Sequence, residues 1–488
     1  MSRALADIRI ALDRAGLLTG ETGALPGSVE AISDDSRLIQ PGSLFLAVRG
    51  AERDGHAYLA LAAERGAAAA IVDDASRTTL PALVVSDTRR AAAVAARAFY
   101  GDPAAALRLV GVTGTNGKTT TVGMLRHLLD EATSRAASIG TLGVLAGSAG
   151  EPLDGGSGLT TPGPVELQRV LRVLRDDGVR TIAIEASSHA LHQRRVEGLA
   201  FAAGVFTNFT RDHLDYHGTM QEYFAAKALL VTQLDRDGVA VVNADDRAWD
   251  SLPSAPRTVR FGLGAAADVR ARRVRSTPDG SRFDLVLGGE SFDVTLPLIG
   301  DFNVANALGA AACAWALGLP SDAIVERLAT MPQVPGRLEI VHERPTVLRD
   351  YAHTPDSLER SIAAVRPFAA GQLIVVFGCG GDRDRGKRPE MGRIAVQGAD
   401  LAIVTSDNPR TEDPERILDD VEAGMGSVAH ERIEDRRDAI ARALALAGPD
   451  DLVLLAGKGH ETYQVRGTTK LPFDERQIVH EIVTERVS

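Results

Sequence analysis

Cysteine is nearly absent: Cys313 and Cys379 are the only two in 488 residues. Two thiols cannot build a disulfide framework, and so small a number fits a reducing compartment. Cys313 falls in an apolar helical run and Cys379 between glycines after a strand, positions that predict structural thiols rather than reactive ones. Positive charge is also short, with 54 Lys and Arg against 65 Asp and Glu and a formal net charge of −11. No general basic field is left to hold nucleic acid or an anionic membrane surface, so anionic small molecules need local basic pockets. Apolar runs stop far short of the roughly 20 residues that span a bilayer. The stretch at 1–18 is broken by charge every few residues, unlike a secretory signal. No repeat or low-complexity segment stands out. The expectation is a cytoplasmic protein without nucleic-acid binding or membrane insertion, and a monomer.

What is present is α/β alternation. At about 150 residues per domain the length predicts three domains, expected at 1–107, 108–334 and 335–488. In the first, a Pro41-Gly42 turn leads into an apolar strand, and Ala-rich helices at 58–65 and 89–100 alternate with strands at 68–72 and 82–85. Gly101-Asp102-Pro103 breaks the last helix. The second alternates strands and helices as a mostly parallel sheet does. Its residues 264–298 alternate apolar and polar side chains instead, predicting a small antiparallel excursion before a helix at 303–317. After Met331-Pro332-Gln333-Val334-Pro335-Gly336, strands at 346–350, 373–377, 401–405 and 452–456 predict a Rossmann-like C-terminal domain.

The strongest motif is Gly111-Val112-Thr113-Gly114-Thr115-Asn116-Gly117-Lys118-Thr119-Thr120. It follows an apolar strand and opens a helix, the setting a phosphate-binding loop requires. Glycines let backbone N–H groups approach phosphate oxygens, and the helix N-terminus adds its dipole. Lys118 is placed to reach the terminal phosphates and Thr119 to ligate Mg²⁺. Counting back from Gly117, the general motif's first glycine falls on Val112, one place from Gly111.

This variant loop resembles that of the Mur ligase superfamily, ATP-dependent enzymes that form amide bonds. Glu185-Ala186-Ser187-Ser188-His189 and Thr207-Asn208-Phe209-Thr210-Arg211-Asp212-His213 are similar to its next two segments. Gly300-Asp301-Phe302-Asn303-Val304-Ala305-Asn306, Pro335-Gly336-Arg337 and Asp350-Tyr351-Ala352-His353-Thr354-Pro355 are similar to later ones. The matches run in order across nearly the whole chain. The resemblance implies ATP contacts from Gly114 to Thr120 and from Asn303, Arg337, Asp350 and His353. It implies Mg²⁺ held by Thr119, Glu185, His213 and Lys227, with Lys227 carbamylated. On composition alone Lys227 would be a solvated helix-surface lysine. Lys118, Glu185, His213 and Lys227 are the implied catalytic set.

Ser36 in the Ser36-Arg37…Pro41-Gly42 stretch resembles a uridine-binding domain of this superfamily. Thr160, Thr161, Ser188, Gln193 and Arg195 are similar to contacts for a UDP-muramoyl peptide, UDP-N-acetylmuramoyl-L-alanyl-D-glutamate. In the last domain, Gly380-Gly381-Asp382-Arg383, Asp407-Asn408-Pro409-Arg410 and Gly457-Lys458-Gly459-His460-Glu461 resemble the members that add meso-diaminopimelate. The residue chemistry agrees. Arg410 and Arg383 offer cations for a distal carboxylate, Arg410 as a bidentate fork. Asp407, Asn408 and Glu461 can accept from an ammonium, with Pro409 and Gly457 shaping the turns around them. A lysine-adding relative, a folylpolyglutamate synthase and a phosphate-loop switch protein are the rival readings.

Overall fold

Three helix-flanked sheets follow one another along the chain. The structure is a computed structural model and describes residues 2–50, 53–156, 158–277 and 279–487. The N-terminal sheet has the order Leu18–Thr22, Ala82–Val85, Ala69–Val72, Ser43–Leu46, Ala31–Ser33, parallel except for the first pair. All four residues of Ser43–Leu46 are buried, as expected of a strand covered on both faces. The last helix, Thr88–Tyr100, starts where the Asp87 carboxylate accepts from the Arg89 and Arg90 N–H groups. It stops at Gly101, whose φ of 74° needs glycine.

The central sheet has eleven strands. Its parallel core runs Arg135–Gly140, Val179–Glu185, Arg108–Thr113, Phe201–Phe206, Leu234–Asn243, Arg257–Gly262. The predicted antiparallel excursion is Val269–Thr277, Gly280–Leu287 and Glu290–Leu296, and it prolongs this same sheet. A second antiparallel pair, Gly143–Ala146 with Glu151–Leu153, borders the opposite edge and was not foreseen. Its strands are too short and glycine-bounded to show a period. The helix Asp301–Ala316 packs its alanine-rich length into the core.

The C-terminal sheet runs Glu339–Glu343, Thr346–Asp350, Leu452–Ala456, Leu373–Phe377, Leu401–Val404, Glu431–Arg432, parallel after the first pair. Strand order decides where chemistry can gather. Ligands of open α/β sheets bind beyond the carboxyl ends of the strands. Arg108–Thr113 lies between Val179–Glu185 and Phe201–Phe206, so the glycine loop, Glu185 and Thr207 emerge side by side. Likewise Asp350, Phe377, Val404 and Ala456 end strands of the second large sheet, and each leads into one of the motifs singled out above. Both cysteines are buried, and burial pushes each thiol up to about 12. Among the described residues no helix is long and apolar enough to cross a membrane.

Candidate active site

The glycine loop is locked to its neighbours through backbone and side chain. Thr115 N–H donates to the Asn208 carbonyl (2.8 Å) and Asn116 N–H to Asn208 Oδ1 (2.8 Å). Gly117 has φ 85°, and a Cβ there would fall 2.3 Å from Asn306 Oδ1, so two constraints demand glycine. Lys118 Nζ donates to the carbonyls of Gly114 (3.0 Å) and Thr115 (2.8 Å), and burial lowers its pKa. Glu185 is buried at the strand end, accepting from Thr141 N–H (2.8 Å) and Thr141 Oγ1 (3.1 Å).

Lys227 departs most from its composition-based reading. Its side chain is 1 % exposed, with Nζ donating to the Gly114 carbonyl at 2.6 Å and standing 4.4 Å from the Tyr223 ring centre. Burial, with Lys118 nearby, pushes its pKa well below the lysine range, which favours the neutral amine. His213 takes the left-handed conformation (φ 54°) in the loop before Leu214–His217, beside Asp212. Its ring meets His189 edge-on at 4.8 Å. His189, His213 and His217 are all pushed down to about 4, chiefly by burial, so their imidazoles are neutral at pH 7.

A cavity of about 450 Å³ is lined by Thr115 to Thr120, Thr160, Glu185, Ser188, Asp212, His213 and Lys227. The C-terminal domain closes it. Arg337 stacks over the Tyr351 ring (4.5 Å) and donates to Thr119 Oγ1 (3.0 Å), while Asn116 Nδ2 donates to Asp356 (3.0 Å). Asp350 and His353 also border this cavity. Both Asp350 oxygens already accept, from Leu338 N–H (2.7 Å) and Ser361 Oγ (2.9 Å), and burial raises its pKa.

A second cavity of about 1030 Å³ shares Arg195, His189, His213, His353 and Arg383 with the first, so the two are continuous. Its far end is made by Asp407, Asn408, Arg410, Gly457 and Glu461. Buried Lys458 donates to Asn408 Oδ1 (3.2 Å) and Glu461 Oε2 (3.0 Å), and Asn408 Nδ2 donates to the same Glu461 oxygen (2.9 Å). Arg195 donates to the Thr161 carbonyl (2.9 Å) and Gln193 Oε1 (2.7 Å), and Gln193 donates to Tyr216 Oη (3.1 Å).

Four expected contacts lie elsewhere. Asn303 is 1 % exposed, donates to the Ile299 carbonyl (2.8 Å) and lines neither cavity; Asn306, one turn on, reaches the phosphate loop instead. Thr161 is fully buried, its Oγ1 donating to the Glu185 carbonyl (2.6 Å), and so braces the strand end. Ser36 is the buried residue of an otherwise exposed turn, its carbonyl accepting from Arg65 (3.1 Å), and among the described residues Gly50 and Arg53 are what the N-terminal domain brings to the larger cavity. Pro409 shapes the turn without lining it.

Three family models match along the chain. Residues 28–113 match the Mur ligase family catalytic domain, 112–314 the Mur ligase middle domain, and 336–459 the Mur ligase glutamate ligase domain. A UDP-N-acetylmuramoyl-L-alanyl-D-glutamate--2,6-diaminopimelate ligase from Geobacillus thermodenitrificans is 45% identical over 471 residues, covering 94% of this chain and 95% of the relative. The chain belongs to the Mur ligase family. A relative of the same name from Synechococcus elongatus is 44% identical over 487 residues, covering 97% of each. A solved structure of a ligase so named covers 100% of both chains with a TM-score of 0.69 at 33% identity. In this Mur ligase, sequence reasoning missed Asn306, Tyr351, Asp356 and Lys458. Asn306 is three residues, almost one helical turn, from Asn303, and only the close approach at Gly117 separates them. Lys458 was quoted within its motif yet given no task, because nothing in a glycine-rich turn reveals a fully buried amine.

Proposed function

We propose that this Mur ligase uses ATP to join meso-2,6-diaminopimelate to the D-glutamyl γ-carboxylate of UDP-N-acetylmuramoyl-L-alanyl-D-glutamate, a step of peptidoglycan synthesis. One observation carries the reading: the phosphate-loop cavity opens, past Arg383 which lines both, into a cavity that ends in Arg410, Asp407, Asn408 and Glu461. Such an end suits a zwitterion, with cations for a carboxylate and acceptors for an ammonium. The names of the relatives agree. Residues 1–107 then hold the uridine end, 108–334 the ATP and 335–488 the amino acid, with Thr160, Ser188, Gln193 and Arg195 along the muramoyl peptide.

Chemistry follows from the placement. A γ-carboxylate oxygen attacks the terminal phosphorus of ATP, and ADP leaves. Lys118 turns from its loop carbonyls to the transferring phosphoryl group, where a cation in a low-dielectric site is most effective. The diaminopimelate amine, as free base, then attacks the acyl carbon; the tetrahedral intermediate collapses to amide and inorganic phosphate. Arg337 and Asp356 hold the C-terminal domain against the loop, which excludes water that would hydrolyse the acyl-phosphate.

Mg²⁺, when bound, neutralises charge on the phosphates. The residues fit it: Glu185 and Thr119 are oxygen donors, and the neutral His213 keeps a free lone pair. Among the described residues no group of three His, Cys, Asp or Glu side chains stands ready to cage an ion. A ligand set completed by phosphates and water suits Mg²⁺. Lys227 adds to that set as a carbamate: its neutral amine attacks CO₂, one proton leaves, and the remaining N–H still serves the Gly114 carbonyl.

The test is phosphate release from ATP with the UDP-dipeptide, comparing meso-diaminopimelate with L-lysine. Release that requires both the dipeptide and diaminopimelate is expected. Equal turnover with lysine would refute the specificity and leave the ligase; no turnover with either would refute both.

A further inference from the structure

Arg383, which lines both cavities, and Arg410, at the far end of the larger one, sit on separate loops, and neither loop is relaxed. Asp382 and Arg410 both have φ 53°, left-handed conformations that side-chain-bearing residues adopt only when their surroundings hold them. The loops meet back to back. A Cβ on Gly380 would fall 2.9 Å from Arg410 Nη1 and 3.9 Å from Arg383 Cγ, and Gly381 N–H donates to the Asn408 carbonyl (3.0 Å). Arg410 Nη1 itself donates across this contact to the Gly381 carbonyl (2.8 Å), so the aim of the guanidinium depends on how the two loops are registered. A further tie, from outside the cavity, fixes that register.

One carboxylate outside both cavities stands at their junction. Glu412 Oε1 accepts the Asp382 N–H at 2.5 Å. Asp382 in turn accepts from Thr411 N–H (3.1 Å) and Thr411 Oγ1 (2.8 Å), which ties the first loop to the residue after Arg410. Behind Glu412, the Arg388 guanidinium makes two bonds to its carboxylate (2.9 and 3.1 Å) and a third to the Gly380 carbonyl (3.3 Å). Arg388 is fully buried and anchored on the helix Lys387–Gly398. Glu412 is largely buried, and its bonds to Arg388 hold it ionised down to about 2. The tie therefore persists at any pH where the enzyme could work.

We propose that Glu412 is a positioning residue of the amino-acid site, fixing through Asp382 and Thr411 the distance and aim of Arg383 and Arg410 without touching the substrate. The proposal rests on the amino-acid site read above. It makes discrimination for a distal carboxylate a property of two clamped loops rather than of two arginines alone. A flexible pair would separate, and a ligand would have to draw them together at the expense of affinity.

The test takes the full chain as wild type, Glu412→Gln, Glu412→Ala and Thr411→Val. The Glu412→Gln side chain would keep an acceptor for the Asp382 N–H but lose the charge pair with Arg388, so the order of effect is Ala, then Gln, then Val. With ATP and UDP-dipeptide saturating, Glu412→Ala is expected to raise KM for meso-diaminopimelate about tenfold or more, a change of ~1.4 kcal/mol. Its kcat and its KM for ATP and dipeptide should stay within about twofold of wild type, consistent with uniform loss of binding. Amide exchange at 380–383 and 407–412 should quicken in the same order. A fall of kcat with a uniform rise of all KM values, or an unchanged KM with unchanged exchange, would overturn the proposal. If Glu412→Ala does not fold, Glu412→Gln and the exposed Thr411→Val carry the same comparison. Wild type without diaminopimelate-dependent turnover would instead sink the functional reading, and the exchange rates would still decide whether Glu412 ties the loops.

Discussion

The two connected cavities solve opposite electrostatic problems. Around the phosphate loop, Lys118, Lys227 and three histidines are buried together, and desolvation favours their neutral forms. At the far end, arginines keep their charge, and buried Arg388 and Lys458 are balanced by Glu412 and Glu461. The first region is prepared to receive charge, because phosphates and a metal bring it. The second carries its charges permanently and must keep them apart and aimed. The difference suggests that substitutions in the first region act on kcat and those in the second on KM.

The largest break expected is Lys118→Ala. It removes the lysine that can turn from the loop carbonyls to the phosphoryl group. Turnover should fall about 10³-fold, the upper range for deleting one transition-state donor, while equilibrium binding of diaminopimelate stays near wild type by calorimetry. A comparable rise in the amino acid's Kd would show that the regions are not separable.

Lys227→Ala comes next, with a fall in kcat on the order of 100-fold. Short-chain carboxylates such as acetate should restore part of it by supplying the lost anionic oxygens, whereas methylamine should not. Rescue by the amine would refute the carbamate.

Arg410→Lys probes the other region. Lysine keeps the charge but loses the two-pronged geometry. At ~1.5–3 kcal/mol for a hydrogen bond to a charged group, kcat/KM for meso-diaminopimelate should drop roughly 10- to 100-fold, almost entirely through KM. A fall confined to kcat would place Arg410 in the chemistry.

These contrasts also show where sequence was informative. Motifs at strand ends were legible because α/β alternation fixes which end of each strand gathers function. The antiparallel excursion at 264–298 was readable from its period of two, yet nothing there revealed that it continues the central sheet. Lys227 could be placed by resemblance alone: the helix Met220–Ala228 gives no periodic signal for a lysine buried beneath the loop at Gly114. Asn303 rather than Asn306 was given the nucleotide contact, because which side of an almost wholly apolar helix faces the loop depends on its docking partner. Glu412 follows a recognised motif by two residues, and its task arises only when two loops and the helix Lys387–Gly398 fold onto each other.

The smallest effect sharpens the comparison by pH. The folded-state values of His189, His213 and His217 lie at about 4, below the ordinary 6.5. As pH falls the unfolded chain binds protons first. Their contribution to stability is therefore complete above about 6.5 and is lost as pH falls towards 4. Glu412 acts in a lower window, since its folded value of about 2 lies below the ordinary 4.5. Its contribution is complete above about 4.5 and disappears as pH falls towards 2. Between pH 6.5 and 4.5 the melting temperature should decline by several degrees, and amide exchange at 186–217 should quicken before that at 380–383 and 407–412. His460, pushed down to about 3, and His127 and His353, both lowered chiefly by burial, contribute in the histidine window too, so a variant with these three changed to Gln isolates the cluster. Exchange that quickens first in the Glu412 loops of that variant would mean that the permanently charged region, not the desolvated one, is the acid-sensitive half of the site.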